Sequence, residues 1–262
     1  MGPALVLVPG AGGDAWYWHR LVPELARRGL TAVAVDLPAD DDSAGLDAYA
    51  DATSEAAAPW DDVVLVAQSM GGLTAPLVAA RRPVRLLVLL NAMIPRPGET
   101  GAQWWVATGH QAEEGPWEEL FFHDVPPEVL AEAYERGDPA QSSRPFEDPW
   151  PLPAWPDVPT VVLTGEQDRF FPPEFQRRVA RDRLGLDVEL VPGGHLAALS
   201  RPAELAERLA GLVGGPAGAA RELAREPEQE VGFEHTFEGG SNGRGSRGSS
   251  GATGEAGQGS QR

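Results

Sequence analysis

The chain has 262 residues, a net charge of −18 and no cysteine, so it is long enough for one large α/β domain or two small ones and for a sizeable core. The acidity argues against nucleic acid and anionic membrane surfaces as partners, and the missing cysteine removes disulfides, thiolate nucleophiles and cysteine-ligated metals. No stretch approaches the roughly 18–20 apolar residues of a membrane span, and a strand stands where a secretory leader would begin, so the expectation is a cytoplasmic protein. In chain order, ALVLV (4–8) predicts a buried strand, PELARRG (23–29) a helix, and TAVAVDLP (31–38) a second strand. Leu46 to Ala58 predicts a helix, VVLVA (63–67) a strand, and GLTAPLVAARR (72–82) a helix. RLLVLLNA (85–92) and TVVLTG (160–165) are strands, FQRRVARDR (175–183) a helix, DVELVPG (187–193) a strand, and AELAERLAGLV (203–213) a closing helix. Near-continuous aliphatic strands separated by helices imply a doubly wound, mostly parallel sheet covered on both faces, here over residues 1–213.

A long insertion separates the strands at 85–92 and 160–165. It carries Trp104, Trp105, Trp117, Phe121, Phe122, Trp150 and Trp155, together with PPEVLAEAYERG (126–137), a helix opened by Pro and closed by Gly. It reads as a small helical cap, about 95–156, over the sheet's carboxyl edge. Its aromatics either line a pocket or pack the cap down, and both arrangements bury them. From Gly239 onward the chain is mostly Gly, Ser, Gln, Arg and Asn, with no aliphatic side chain larger than alanine. Such a segment buries too little apolar surface to offset its ordering entropy, so 214–262 is expected to be a disordered tail.

VVLVAQSMGG (63–72) runs a buried strand straight into a serine fenced by small residues. Small side chains two before and two after that serine, here Ala67 and Gly71, are what a nucleophile elbow demands, because a tight strand-to-helix turn leaves no room for more. A helix cap would place a serine there too. A serine hydroxyl needs a base, and the base a carboxylate to hold its tautomer. Among five histidines, His195 alone follows a strand on a glycine loop, in VPGGHLAALS. Asp168 follows the strand at 160–164, with Glu166 as the rival acid. His123 beside Asp124 reads as a cap-surface or packing pair. The loop LVPGAGGDAWYW (7–18) could cradle a phosphate, but it lacks the motifs and the Lys or Arg for that. Beside an elbow it points instead to an oxyanion site, with the Ala11 and Met70 N–H groups as donors and Gly10 and Gly12 shaping the loop.

With these residues in place, the chain resembles the α/β-hydrolase superfamily over roughly residues 4–213. GAGGDAWYWHRLVPELARRG, VAVDLPA, VAQSMGG, DRFFPPEFQ and GGHLAALSRPAEL are similar to stretches of the plant methylesterase and hydroxynitrile lyase family. The resemblance implies Ser69 as nucleophile, Asp168 as acid and His195 as base, without cofactor or metal. Pro9 and Gln68 stand where that family usually carries histidine. Its lyases have a lysine after the histidine, and Leu196 stands there instead, which favours ester hydrolysis. The expected substrate is a small, largely apolar ester, since only Arg96 and Arg144 could hold a carboxylate near the site and both read as surface residues. A ligand-binding protein on the same fold, or hydrolysis of a lactone, thioester or carbon–carbon bond, is compatible with the same residues.

Overall fold

The computed structural model describes residues 2–111 and 114–214. The expected tail beyond Gly214, and His235 within it, lie outside the described residues.

Six strands, β1 (Ala4–Val8), β2 (Thr31–Ala34), β3 (Val63–Gln68), β4 (Leu86–Leu90), β5 (Thr160–Gly165) and β6 (Val188–Val191), form one sheet in the order β2-β1-β3-β4-β5-β6. Every pairing is parallel. The helices are α1 (Leu21–Arg27), α2 (Leu46–Ala57), α3 (Gly71–Arg81), α4 (Gly101–Thr108), α5 (Trp117–Phe121), α6 (Pro127–Arg136), α7 (Arg144–Glu147), α8 (Pro173–Leu184), α9 (Ala197–Ser200) and α10 (Pro202–Gly214).

Successive strand side chains point to opposite faces, and the core divides accordingly. Val6, Val8, Val63, Leu65, Leu87 and Leu89 join one apolar cluster with Tyr49 of α2, Leu73 and Leu77 of α3, and Val179 of α8. Leu5, Leu7, Val64, Val66, Val88 and Leu163 join the other, with Leu21 and Leu25 of α1 and Leu205 and Leu209 of α10. Each fully buried Leu or Val among them contributes roughly 1.5–3 kcal/mol. This two-sided burial is why the strands read as unbroken aliphatic runs.

The register aligns the carboxyl ends. Val8 pairs with Ala67, Gln68 with Leu90, Leu90 with Leu163 and Gly165 with Val191. The loops leaving β1, β3, β4, β5 and β6 therefore open along one edge. After β2 the chain crosses β1 to enter β3, so the strand order reverses between β1 and β3, where open α/β sheets bind ligands.

Two strands are shorter than their apolar runs suggest. β2 ends at Ala34, because after Val35 donates to Leu7 O the segment turns to the glycine loop: Leu37 N–H donates to Gly13 O at 2.8 Å, and Asp36 Oδ1 accepts from Ala15 N–H at 2.8 Å. β6 stops at Val191, where Pro192 brings no N–H for the ladder. α8 starts two residues earlier than its apolar pattern, since Pro173 suits the first helical position.

The insertion between β4 and β5 is helical, carrying α4 to α7. α4 opens on a reciprocal capping box between Thr100 and Gln103. Trp104 and Trp150 are buried, and their indole N–H groups donate to Ile94 O and Leu73 O, both at 3.0 Å. These two tryptophans fasten the insertion to the sheet domain. Trp117, by contrast, is 64% exposed.

Candidate active site

Ser69 follows directly on β3 with φ +51°, left-handed backbone that a non-glycine residue rarely adopts. Such a conformation costs on the order of 1–3 kcal/mol and persists only when its surroundings enforce it. Three backbone bonds do so here: Ser69 N–H donates to Leu90 O (3.2 Å), and Ser69 O accepts from Gly72 N–H (3.1 Å) and Met93 N–H (2.9 Å). The small neighbours are explained by contact. A Cβ on Gly71 would lie 2.7 Å from Pro9 O, and one on Gly10 would lie 2.8 Å from Ser69 Cβ and collide with Gln68 Oε1. Ser69 thus stands at the head of α3, wedged against the loop that leaves β1.

Three of the expected residues meet in one chain of hydrogen bonds. His195 Nδ1 lies 2.8 Å from Asp168 Oδ2, and His195 Nε2 lies 3.1 Å from Ser69 Oγ. With the carboxylate accepting from Nδ1–H, Nε2 is left to accept the serine hydroxyl. The other Asp168 oxygen accepts from Phe170 N–H (2.8 Å) and Phe171 N–H (2.7 Å), so the carboxylate is held at both ends. Glu166, the rival acid, is exposed and does not join this chain. His195 is 1% exposed whereas Ser69 is partly open, and Phe121, Phe170 and Phe171 all stand edge-on to the imidazole.

The glycine loop lies alongside. Gly13 N–H donates to Gly10 O, closing a tight turn, and Gly12 N–H donates to Gln141 Oε1 of the insertion at 2.8 Å. Among the described residues, neither Ala11 N–H nor Met70 N–H has a protein acceptor. Gly12 has positive φ, and a Cβ there would meet Pro139 at 2.7 Å, so loop and insertion are in direct contact.

The strained elbow at the switch point is bonded to a histidine, which is bonded in turn to an aspartate, and each of the two follows a later strand; the model of the alpha/beta hydrolase family matches residues 5–208 of the chain. The chain belongs to the alpha/beta hydrolase family. Among curated proteins, the rice (Oryza sativa subsp. japonica) protein named Probable esterase PIR7A is 39% identical over 111 residues, covering 37% of this chain and 42% of that protein. Methylesterase 3 of Arabidopsis thaliana is 27% identical over 141 residues, covering 49% of this chain and 54% of that one. The aligned part thus spans only about half, or less, of these relatives. Two solved structures share the fold: a pyrethroid hydrolase from Sphingobium faniae JZ-2 (TM-score 0.66, 22% identity, 82% of this chain and 99% of that one) and the methylesterase MES16 of Arabidopsis (TM-score 0.66, 22%, 81% and 99%).

Within this alpha/beta hydrolase, the remaining polar residues sort by what they touch. His110 donates from Nε2 to Phe170 O at 2.7 Å amid Trp104, Trp105 and Phe175, and burial lowers its pKa below the ordinary histidine value. The Tyr17 hydroxyl is pushed up by burial. Arg96 pairs with Asp182 and Arg144 with Asp148, both at 2.8 Å and both at the surface, as the sequence suggested. Among the described residues no group of three or more His, Cys, Asp or Glu is placed to hold a metal ion, and no helix is long and apolar enough to cross a membrane.

Some residues at the site escaped the sequence reading. Asn91, buried and itself at φ +45°, donates from Nδ2 to Gly194 O (3.1 Å) and His195 O (3.2 Å) while its Oδ1 accepts from Gly165 N–H (2.7 Å). Gln68 Nε2 donates to His195 O at 3.3 Å. The signal for Asn91 was a polar residue ending an aliphatic strand, the same pattern that marked Ser69. Of the two expectations for His123 and Asp124, surface or packing, packing is the one that fits: both side chains are nearly buried, and each bonds to a loop beside the site.

Proposed function

We propose that the protein is a serine hydrolase of small, largely apolar carboxylic esters, working through an acyl-enzyme on Ser69. The observation that carries the proposal is the hydrogen-bond chain Ser69–His195–Asp168. His195 takes the Ser69 proton as the hydroxyl attacks the ester carbonyl, then delivers it to the departing alkoxide. Water enters next, His195 deprotonates it, and its attack on the acyl carbon returns the acid and free Ser69. Asp168 holds the imidazole in the required tautomer and stabilises the imidazolium. The tetrahedral oxyanion is received by the N–H groups of Ala11 and Met70, with Gly10 and Gly12 giving the loop its shape. Donors of this kind are worth about 3 kcal/mol each in comparable sites. The chemistry requires neither metal nor cofactor.

The esterase and methylesterase names of the relatives support the bond type. An apolar substrate is supported by the phenylalanines around His195 and by the engagement of Arg96 and Arg144 with the carboxylates of Asp182 and Asp148. Leu196 follows His195 where a lyase of the resembling plant family would offer a lysine, which favours hydrolysis. The insertion serves as a lid on the carboxyl edge. The test is a fluorophosphonate probe combined with a panel of esters, lactones and thioesters. Ser69-dependent labelling with turnover of esters is the expected result, and labelling that persists in Ser69→Ala would overturn it.

A further inference from the structure

The segment after α5 crosses the carboxyl edge where the loops bearing Asp168 and His195 lie together. Two consecutive residues bond there, one to each loop. His123 donates from Nε2 to Gln167 O at 2.8 Å, one residue before Asp168. Asp124 Oδ2 accepts from Gly194 N–H at 2.8 Å, one residue before His195. Both side chains are nearly buried, 9% and 10% exposed. The loops are also tied to each other, since Gln167 Oε1 accepts from Gly193 N–H and Gln167 N–H donates to Gly193 O, both at 3.0 Å.

The fit accounts for a glycine that backbone conformation does not require. Gly194 is not among the residues with positive φ, yet a Cβ on it would come within 2.8 Å of Asp124 Oδ1 and 3.0 Å of His123 Nε2. The pair presses directly on the backbone beside His195. From the opposite side, Asn91 and Gln68 hold the His195 carbonyl. His195 is thereby gripped between the sheet and the insertion, and the insertion's half of the grip is Asp124.

We propose that His123 and Asp124 are positioning residues, a clamp that sets the separation of the acid-bearing and base-bearing loops and so keeps His195 in reach of both Asp168 and Ser69. The proposal rests on the reading of those three residues as the reacting unit. Neither clamp residue is bonded to Ser69 or to the side chain of His195. Their effect passes through the backbone of Gln167 and Gly194, and a displacement of the order of 1 Å at a reacting group costs about 100-fold in rate.

The test compares Asp124→Ala, Asp124→Asn and His123→Ala on a p-nitrophenyl ester, well below each variant's unfolding temperature. Asp124→Ala is expected to lower kcat by about 100-fold with little change in KM. Asp124→Asn recovers most of that loss, because a side-chain amide oxygen still accepts from Gly194 N–H. An Asn variant as impaired as the Ala variant would assign the effect to the carboxylate's charge and overturn the clamp. Wild-type kcat in folded Asp124→Ala would also overturn it, reducing the residue to packing. Should Asp124→Ala not fold, His123→Ala reads the other arm by the same criterion. A second measurement needs no turnover: the proton NMR resonance of His195 Nδ1–H, hydrogen-bonded to Asp168, should shift or broaden in either alanine variant. If that resonance responds while the wild type hydrolyses no ester, the functional reading fails and the clamp stands; an unchanged resonance removes the clamp.

Discussion

The Phe121 ring stands edge-on to the His195 imidazole, with centroids 5.1 Å apart and planes at 84°. Phe121 belongs to α5 of the insertion, so one wall around His195 comes from outside the sheet. Trp104 and Trp150, equally aromatic and in the same insertion, instead donate to backbone carbonyls and anchor it. Aromatic content alone does not separate the two roles. Phe121→Ala is expected to change the ratio of kcat/KM between short-acyl and long-acyl esters on the order of 10-fold. Trp104→Ala should leave that ratio alone and cost about 3–5 kcal/mol of stability. Unchanged selectivity in Phe121→Ala, measured beside its melting temperature, would make it a packing residue.

Ser69, His195 and Asp168 should behave as one unit. Ser69→Ala and His195→Ala are each expected to cost about a millionfold in kcat, and the double variant little more. Asp168→Asn should cost about ten-thousandfold, because the geometry survives while the wrong tautomer is favoured. Glu166→Gln should turn over like wild type, since Glu166 faces solvent outside the chain. Steady-state kinetics on one ester decide all five, and a large defect in Glu166→Gln would mean that the acid has been misassigned.

The elbow is crowded by backbone, which cannot move aside cheaply. Gly71→Ala would bring a methyl group 2.7 Å from Pro9 O. Relief by shifting β1 or Ser69 should cost about 1–3 kcal/mol and disturb the left-handed serine. The expected outcome is a lower melting temperature together with slower fluorophosphonate labelling. Labelling at the wild-type rate would show that the turn tolerates a side chain there.

His110 titrates against the fold. Burial lowers its pKa below the ordinary 6.5, opposed in part by its bond to Phe170 O and by Asp168. In the unfolded chain the ring takes up a proton as pH falls through 6.5, while the folded ring resists it. The unfolded state then binds more protons, so this group's contribution is complete above that pH and is lost progressively below it. His110→Gln should therefore show a shallower loss of melting temperature on acidification than wild type. Identical acid limbs for the two proteins would remove His110 as a cause.

The sequence by itself was enough for the layered α/β fold and for the chain order serine, aspartate, histidine. The reason is local: strands buried on both faces must be aliphatic throughout, and an elbow at Ser69 must have small residues at Ala67 and Gly71. These constraints act within a few residues and leave their mark in the order of the chain. Tertiary structure decided what depends on distant segments meeting. The contact of Gly194 with Asp124, of Gly12 with Gln141 and of Phe121 with His195 joins residues far apart in the chain, and no periodicity encodes it. The same holds for the end of β2. An apolar run through Leu37 is compatible with a longer strand, and only the glycine loop, arriving to accept from Leu37 N–H, draws the segment out of the sheet. Hydrophobic pattern reports whether a residue is buried, whereas its partner is chosen by packing, and at this site the partners come from the loops and the insertion.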